Sequence, residues 1–176
     1  MTNNRIVIIQ GSSRSMGDTF TVSNYLVDKG QCDFIDLKEL NIGAFDYDFI
    51  NENDDFLPTI TSVIQNYTVI IFATPVYWYT MSGVMKTFLD RISDLLKIHK
   101  DLGRLLRNKS MALLSCSNAD DLPEGFQMPF KESAKYLGMQ YLGDCHAWVN
   151  QGEIEEKVLK KLDDFYQLIE GSLAKV

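Results

Sequence analysis

Arg5-Ile6-Val7-Ile8-Ile9-Gln10-Gly11-Ser12-Ser13-Arg14-Ser15-Met16-Gly17-Asp18-Thr19 decides how this chain reads, because an apolar run passes into a glycine- and serine-rich loop and then into a helical pattern. The order is strand, loop, helix start. Small residues let a backbone approach an anion, hydroxyls donate to it, and the free N–H groups of a first helical turn add a favourable dipole. The loop is a candidate phosphate cradle. A serine-rich, glycine-capped turn that binds nothing is the competing reading of the same residues.

The loop also excludes ligands. A nucleoside-triphosphate loop spaces its glycines one residue closer and follows the second with lysine, whereas Asp18 follows Gly17 here. No cysteine stands after the strand to act as a phosphatase-type nucleophile, and the dinucleotide pattern G-x-G-x-x-G is absent. What remains is a single phosphate monoester held mainly by neutral donors.

At 176 residues, with 45% hydrophobic and 23% charged residues, the chain suits one domain with a sizeable core. No charged leader precedes a long apolar segment and no apolar run approaches the span of a bilayer, so a cytoplasmic protein without membrane contact is expected. A net charge of −7, with Lys and Arg scattered among more numerous acids, argues against nucleic acid. Cys32, Cys116 and Cys145 are odd in number, far apart and in apolar contexts; they are expected as buried thiols. With only His99 and His146 there is no zinc spacing, and no metal is expected.

Outward from the loop, five apolar or β-branched runs, 5–10, 32–37, 68–74, 110–115 and 140–149, alternate with segments of helical period. Such alternation implies crossover connections and a parallel sheet covered on both faces. The expected fold is α/β, a doubly wound five-stranded sheet in the order 2-1-3-4-5. Helices are expected after the loop (Phe20, Val22, Leu26, Val27, closing near Lys29-Gly30), over 55–67, and from a Ser82 cap through Val84, Met85, Phe88, Leu89, Ile92, Leu95 and Leu96. A fourth falls within 124–136, and a last one over 153–172 turns Ile154, Val158, Leu162, Phe165 and Ile169 to one face.

After the third strand comes Thr74-Pro75-Val76-Tyr77-Trp78-Tyr79-Thr80-Met81-Ser82-Gly83. Neighbouring side chains diverge, so three consecutive aromatics cannot all enter the core, and at least one is left for a flat ring or a neighbouring subunit. In the order 2-1-3-4-5 the chain winds in opposite directions from strands one and three, which opens a crevice outside their carboxyl ends. Both loops face it. A phosphate site beside an aromatic ring site fits flavin mononucleotide (FMN) better than other common cofactors.

With Lys86, Phe88 and Asp90-Arg91 added to these two motifs, the chain resembles, over nearly its whole length, the flavodoxin-like NAD(P)H-dependent FMN reductases and NAD(P)H:quinone oxidoreductases. The resemblance implies that Ser12, Arg14, Met16, Gly17, Asp18 and Thr19 lie at phosphate-binding positions. By the same resemblance Pro75, Val76, Tyr77 and Trp78 line the isoalloxazine with Thr74 and Tyr79 close by. Ser115 opens the segment, running to Asp120, that stands where the family has its third flavin loop but lacks the glycines often found there; Asp120 and Asp121 read as solvated surface in preference to flavin contacts. It further implies FMN as cofactor, NAD(P)H as co-substrate, a small-molecule electron acceptor, and a homodimer or homotetramer. The flavin carries the hydride chemistry in a ping-pong sequence, so no dedicated catalytic residue is expected. Trp78 and Tyr79 shape the face where substrates stack, and backbone amides of 76–79 stabilise charge at the ring's edge. The competing class is an electron carrier or FMN-binding module without nicotinamide activity.

Other residues have plainer expectations. Arg14 either meets the phosphate or lies in solvent with Asp18, and Asp18 caps its helix or accepts backbone amides. Lys86 and Asp90 form a surface pair, and Arg91 is structural. His146 is a strand residue rather than an acid or base. Phe45, Tyr47 and Phe49 cover the crevice, cover a subunit contact or form a packed surface loop, and the absence of cysteine there excludes thiolate ligation of an iron–sulfur cluster.

Overall fold

Two side-chain sets, one on each face of a single sheet, build the core. The computed structural model describes residues 5–30 and 32–173. Strands β1 (Ile6–Gln10), β2 (Cys32–Asp36), β3 (Val69–Pro75), β4 (Ser110–Ser117) and β5 (Gln140–Trp148) are all parallel, in the order β2-β1-β3-β4-β5. The helices are α1 (Asp18–Asp28), α2 (Phe56–Asn66), α3 (Gly83–Lys97), the short α4 (Lys100–Arg104), α5 (Met128–Leu137) and α6 (Glu156–Leu173). The doubly wound fold and its strand order are as the sequence implies.

Every residue of β1 and β3 is buried, as central strands of a doubly covered sheet require. Alternate residues serve opposite layers. Val7, Ile9, Ile70, Phe72 and Leu113 meet Phe56 and Ile60 of α2, Met85 and Phe88 of α3, and Phe130 of α5. Ile6, Ile8, Ile71 and Leu114 meet Val22 and Leu26 of α1 and Val158, Leu162 and Phe165 of α6. Each fully buried side chain of this size contributes about 1.5–3 kcal/mol of transfer free energy. All three cysteines are buried and unpaired with one another, and burial pushes the Cys32 thiol up to about 12 and that of Cys145 to about 11. Among the described residues, no helix is long and apolar enough to cross a membrane.

Several boundaries differ from the sequence reading. β4 runs two residues further, to Ser117, because β5 continues alongside it to Trp148. The last helix starts at Glu156, not 153: Asn150 and Glu153 close a tight turn with Gln151 and Gly152 at positive φ, so Ile154 packs from a loop. The fourth helix begins at Met128, with Pro129 in its first turn and left-handed Gly138 at its end. Leu96 is exposed rather than part of the α3 stripe. Lys86 and Asp90 do pair on the surface of α3, at 2.7 Å.

Arg91 is the largest fully buried side chain, and it ties α3 to the long segment after β2. Its guanidinium donates to Asp54 and, at 2.8 Å, to Asp94, and also to the carbonyls of Asn51 (2.9 Å) and Gly43 (3.1 Å). Phe56 covers it at 4.8 Å. Burial alone would raise the Asp54 carboxyl; the Arg91 hydrogen bond and the amides of Phe56 and Gly43 outweigh it and hold the group below its ordinary value. Beyond this anchor Phe45 stacks edge-on against Tyr47 and Phe49, a small cluster with Tyr47 exposed.

Arg91→Met is expected to destabilise the fold by about 3–5 kcal/mol, because two buried carboxylates lose their counter-charge; urea unfolding measures it. Because Asp54 is depressed in the folded state, its contribution is complete above the unfolded carboxyl value of about 4 and is lost as pH falls through the lower folded value. Wild type should therefore lose this increment on acidification, whereas Asp54→Asn should flatten that part of the stability–pH profile.

Candidate functional site

The two loops singled out in the sequence meet at one buried junction. The amide of Gly11 donates to the carbonyl of Ala73 at 2.8 Å, joining the ends of β1 and β3. The Ser82 hydroxyl donates to the Gly11 carbonyl at 2.6 Å and accepts from the Met85 amide at 3.0 Å, so it caps α3 while holding the first loop. The Ser82 amide in turn donates to the hydroxyl of Thr74 at 3.1 Å. A Cβ on Gly11 would stand 2.7 Å from Met85 Cβ and 2.8 Å from Met85 Cα, so only glycine admits α3 this closely.

The first loop is shaped by hydrogen bonds to its own chain. The Arg14 amide donates to Ser12 Oγ at 3.2 Å, and the side-chain amide of the buried Gln10 donates to the Ser15 carbonyl at 3.1 Å. Ser15 in turn donates to Glu39 at 2.8 Å. Ser13 Oγ and Tyr77 Oη, 2.7 Å apart, bridge to the aromatic loop. Gly17, not Asp18, is the residue before the helix; Asp18 is already its first residue and makes no capping bond. Among the described residues Arg14 forms no ion pair, with Asp18 or any other group, which leaves its exposed guanidinium facing solvent.

Three segments enclose a cleft of about 190 Å³: Ser12, Arg14, Gly17, Asp18 and Thr19 from the first loop, Pro75, Val76 and Tyr77 after β3, and Cys116, Ser117 and Asn118 at the end of β4. Burial, and to a lesser degree the charge of Asp18, push the Cys116 thiol up to about 12, so it lines the cleft as an un-ionised group. Larger grooves lie along the outer face of α2 and between α3 and α5, but neither joins these loops.

Thr74 and Ser115, expected as cofactor contacts, are instead fully buried with their hydroxyls engaged inside the fold. Thr74 holds Ser82, and Ser115 lies 3.0 Å from His146 Nδ1. The wall expected from Ser115 is formed by the next three residues. The amides of Val76 and Tyr77, expected at the ring's edge, are likewise committed, to the carbonyls of Cys116 (2.8 Å) and Thr80 (2.9 Å). Gln10 also belongs to the site, through its clamp on Ser15, and only the last position of an apolar strand hinted at it.

Met16, Trp78 and Tyr79 project outside the cleft. Tyr77 and Thr80 exchange backbone hydrogen bonds around a two-residue tip, so Trp78 and Tyr79 take φ values of 50° and 64°, the sense of a type I′ turn. Bulky residues rarely adopt this region. Trp78 is 92% exposed and Tyr79 76%, while Tyr77 is 37% exposed and tethered through Ser13.

A glycine- and hydroxyl-rich loop, a helix start and an aromatic tip are gathered at the carboxyl edge of a flavodoxin-like doubly wound sheet, where the chain reverses its winding direction. The family comparison agrees: the model of the NADPH-dependent FMN reductases matches residues 4–153, and the chain belongs to that family. A relative in Bacillus subtilis (strain 168), named "Putative NAD(P)H-dependent FMN-containing oxidoreductase YwqN", is 26% identical over 149 residues, 79% of this chain and 82% of its own. The NADPH azoreductase of Bacillus sp. (strain OY1-2) is 25% identical over 101 residues, 57% of each chain. Among solved structures, the Trp repressor binding protein from Bacillus subtilis superposes with a TM-score of 0.72 at 23% identity, covering 93% of this chain and 97% of that one. That likeness is one of fold.

Ser82→Ala removes the shared donor and acceptor at the junction and strands the buried Gly11 carbonyl. A loss of about 1–3 kcal/mol is expected in denaturant unfolding. Ser82→Thr, which keeps the hydroxyl, should retain most of it.

Proposed function

We propose that this protein is an FMN-containing oxidoreductase that takes electrons from NAD(P)H and passes them to a small-molecule acceptor in a ping-pong sequence. The observation that carries the reading is a cleft lined by Arg14, unpaired among the described residues, and the start of α1, with Tyr77 in its wall and the exposed tip Trp78-Tyr79 next to it along the chain. The donor set fits a flavin monophosphate. Arg14, the hydroxyls of Ser12 and Thr19 and the first amides of α1 suit a monoester, whereas the carboxylate of Asp18 and the lack of a lysine disfavour a triphosphate with its metal. The names of the YwqN relative and of the azoreductase, which specify NAD(P)H and FMN in the first case and NADPH in the second, support the same class.

When bound, FMN supplies the hydride-accepting ring. The chain's own part is positional. Arg14 and the α1 amides hold the phosphate end; Pro75 and Val76 form one wall of the cleft and Ser117 and Asn118 another. The amides of Trp78 and Tyr79 make no hydrogen bond among the described residues, so they take the role at the ring's polar edge that Val76 and Tyr77 cannot. The side chains of Trp78 and Tyr79 present the flat surface against which a nicotinamide or acceptor stacks, and no acid or base is required. Met16, Trp78, Tyr79 and Tyr47, all exposed on loops beyond the carboxyl ends of the strands, suit closure by another copy of the chain in a homodimer or homotetramer.

The test is a visible spectrum after incubation with FMN and desalting, followed by anaerobic addition of NADH or NADPH. Retained flavin that bleaches supports the oxidoreductase; flavin retained but unreduced selects the carrier, and none retained overturns the cofactor. Arg14→Ala should weaken FMN about tenfold and leave riboflavin, which lacks the phosphate, unaffected. Trp78→Ala should raise KM for the nicotinamide or acceptor, and unchanged flavin affinity and kinetics would remove Trp78 from the site.

A further inference from the structure

Behind the wall formed by residues 116–118 lies a buried imidazole that the proposed chemistry does not use. His146, on β5, stands opposite Ser115 in the strand register. Its Nδ1 is 3.0 Å from Ser115 Oγ, and its Nε2 is 3.0 Å from the Ala119 carbonyl and 3.3 Å from Ser117 Oγ. A carbonyl only accepts, so Nε2 carries hydrogen and donates to Ala119; in the neutral ring, Nδ1 is then the acceptor for the Ser115 hydroxyl.

The turn beyond β4 hangs on these contacts. Ser117 Oγ accepts from the Ala119 amide at 3.2 Å and lies 2.7 Å from the Ala119 carbonyl and 3.0 Å from Asp121 Oδ1. The imidazole is backed by Trp148, ring centroids 6.0 Å apart, and Trp148 is covered by the ammonium groups of Lys157 and Lys161 at 5.1 and 4.6 Å. One ring therefore ties residues 115, 117 and 119 to a rigid strand, while residues 116–118 face the cleft.

Resting on the FMN reading above, we infer that His146 is a positioning residue: through Ser117 and Ala119 it fixes the cleft wall against the ring end of the cofactor, not the phosphate end. The ring end is assigned because Cys116 pairs with Pro75 and accepts from the Val76 amide, next to the aromatic tip, whereas Arg14 and α1 serve the phosphate. An apolar ring at 146 cuts the link from the turn to β5 and leaves the Ala119 carbonyl with the Ser117 hydroxyl as its remaining side-chain donor, so the turn is held only by its own local bonds.

The experiment measures dissociation constants for FMN and riboflavin by quenching of flavin fluorescence, together with thermal midpoints, in wild type, His146→Phe, His146→Gln, Ser115→Ala and Arg14→Ala. His146→Phe should weaken both flavins by the same factor, about tenfold. His146→Gln, whose side-chain amide can reach the Ala119 carbonyl, should recover most of the loss, and Arg14→Ala should affect FMN alone. Equal binding by His146→Phe and wild type, a loss confined to FMN, or no recovery by Gln at matched stability overturns the inference. Should His146→Phe not fold, Ser115→Ala decides: it keeps the ring but frees Nδ1, and a severalfold loss for both flavins supports the role while none overturns it. Wild type that binds neither flavin strikes down the functional reading itself; wild type that binds, with variants that match it, strikes down only the role of His146.

Discussion

The Ser82 hydroxyl, donating to the Gly11 carbonyl while accepting from the Met85 amide, is the joint on which the site depends. Without it, the loops after β1 and β3 would keep the Gly11–Ala73 backbone bond and the exposed Ser13–Tyr77 contact but lose the buried link that holds the start of α3 against the first loop. Each bond has a net worth of only about 1 kcal/mol, but the groups are buried, so leaving any of them unpaired costs more than forming the bond gains. Gly11 makes the joint possible by omitting the one atom that would hold α3 away. Positioning the cleft is thus a packing problem solved in the core, beneath the surface that any ligand meets.

Charge is used locally here, and in two opposite ways. The net charge of −7 is spread over the surface and screened beyond about 8 Å at physiological ionic strength, so it does not decide whether an anion settles in the cleft. Contact donors decide that. Among the described residues no carboxylate pairs with the exposed Arg14, whereas Arg91 is buried against Asp54 and Asp94 and makes four hydrogen bonds within the fold. Moving a carboxylate next to Arg14 would remove the attraction; removing one from Arg91 would leave an uncompensated buried charge.

The strands were legible because β1 and β3 are apolar on nearly every residue and β4 carries the unbroken run Met111-Ala112-Leu113-Leu114, as a doubly covered sheet requires. The end of β4 was not, since Cys116 and Ser117 read as loop until β5 is known to run beside them. The short charged α4 has no apolar period to announce it. In the site, residues whose role follows from local chemistry were visible: the hydroxyls and glycines of the first loop and the aromatic run. Gln10, Ser115 and His146 were not readable in this way, because their roles depend on where a side chain points inside the sheet. His146 meets Ser115 across 31 residues, through a register that neither sequence segment contains.

The aromatic tip shows why part of the site departs from what local propensity favours. Asn-Gly would satisfy a two-residue turn with positive φ at both positions, yet Trp78 and Tyr79 hold it at a cost of about 1–2 kcal/mol each. The turn is nonetheless fixed, by paired backbone bonds between Tyr77 and Thr80 and by the Ser13 tether, so the rings are presented and do not have to be ordered on contact. A large aromatic side chain carries about 150–250 Å² of surface, and covering even part of it at about 25 cal/mol per Å² returns more than the strain consumes. The free chain cannot collect that return, because the same turn that strains the backbone points both rings away from the core. Under the proposed reading the two ends of the cleft therefore work on different physics. Charge and amides hold the phosphate end, where salt would weaken binding; at the tip, binding scales with the flat area that covers Trp78 and Tyr79 and is nearly indifferent to salt.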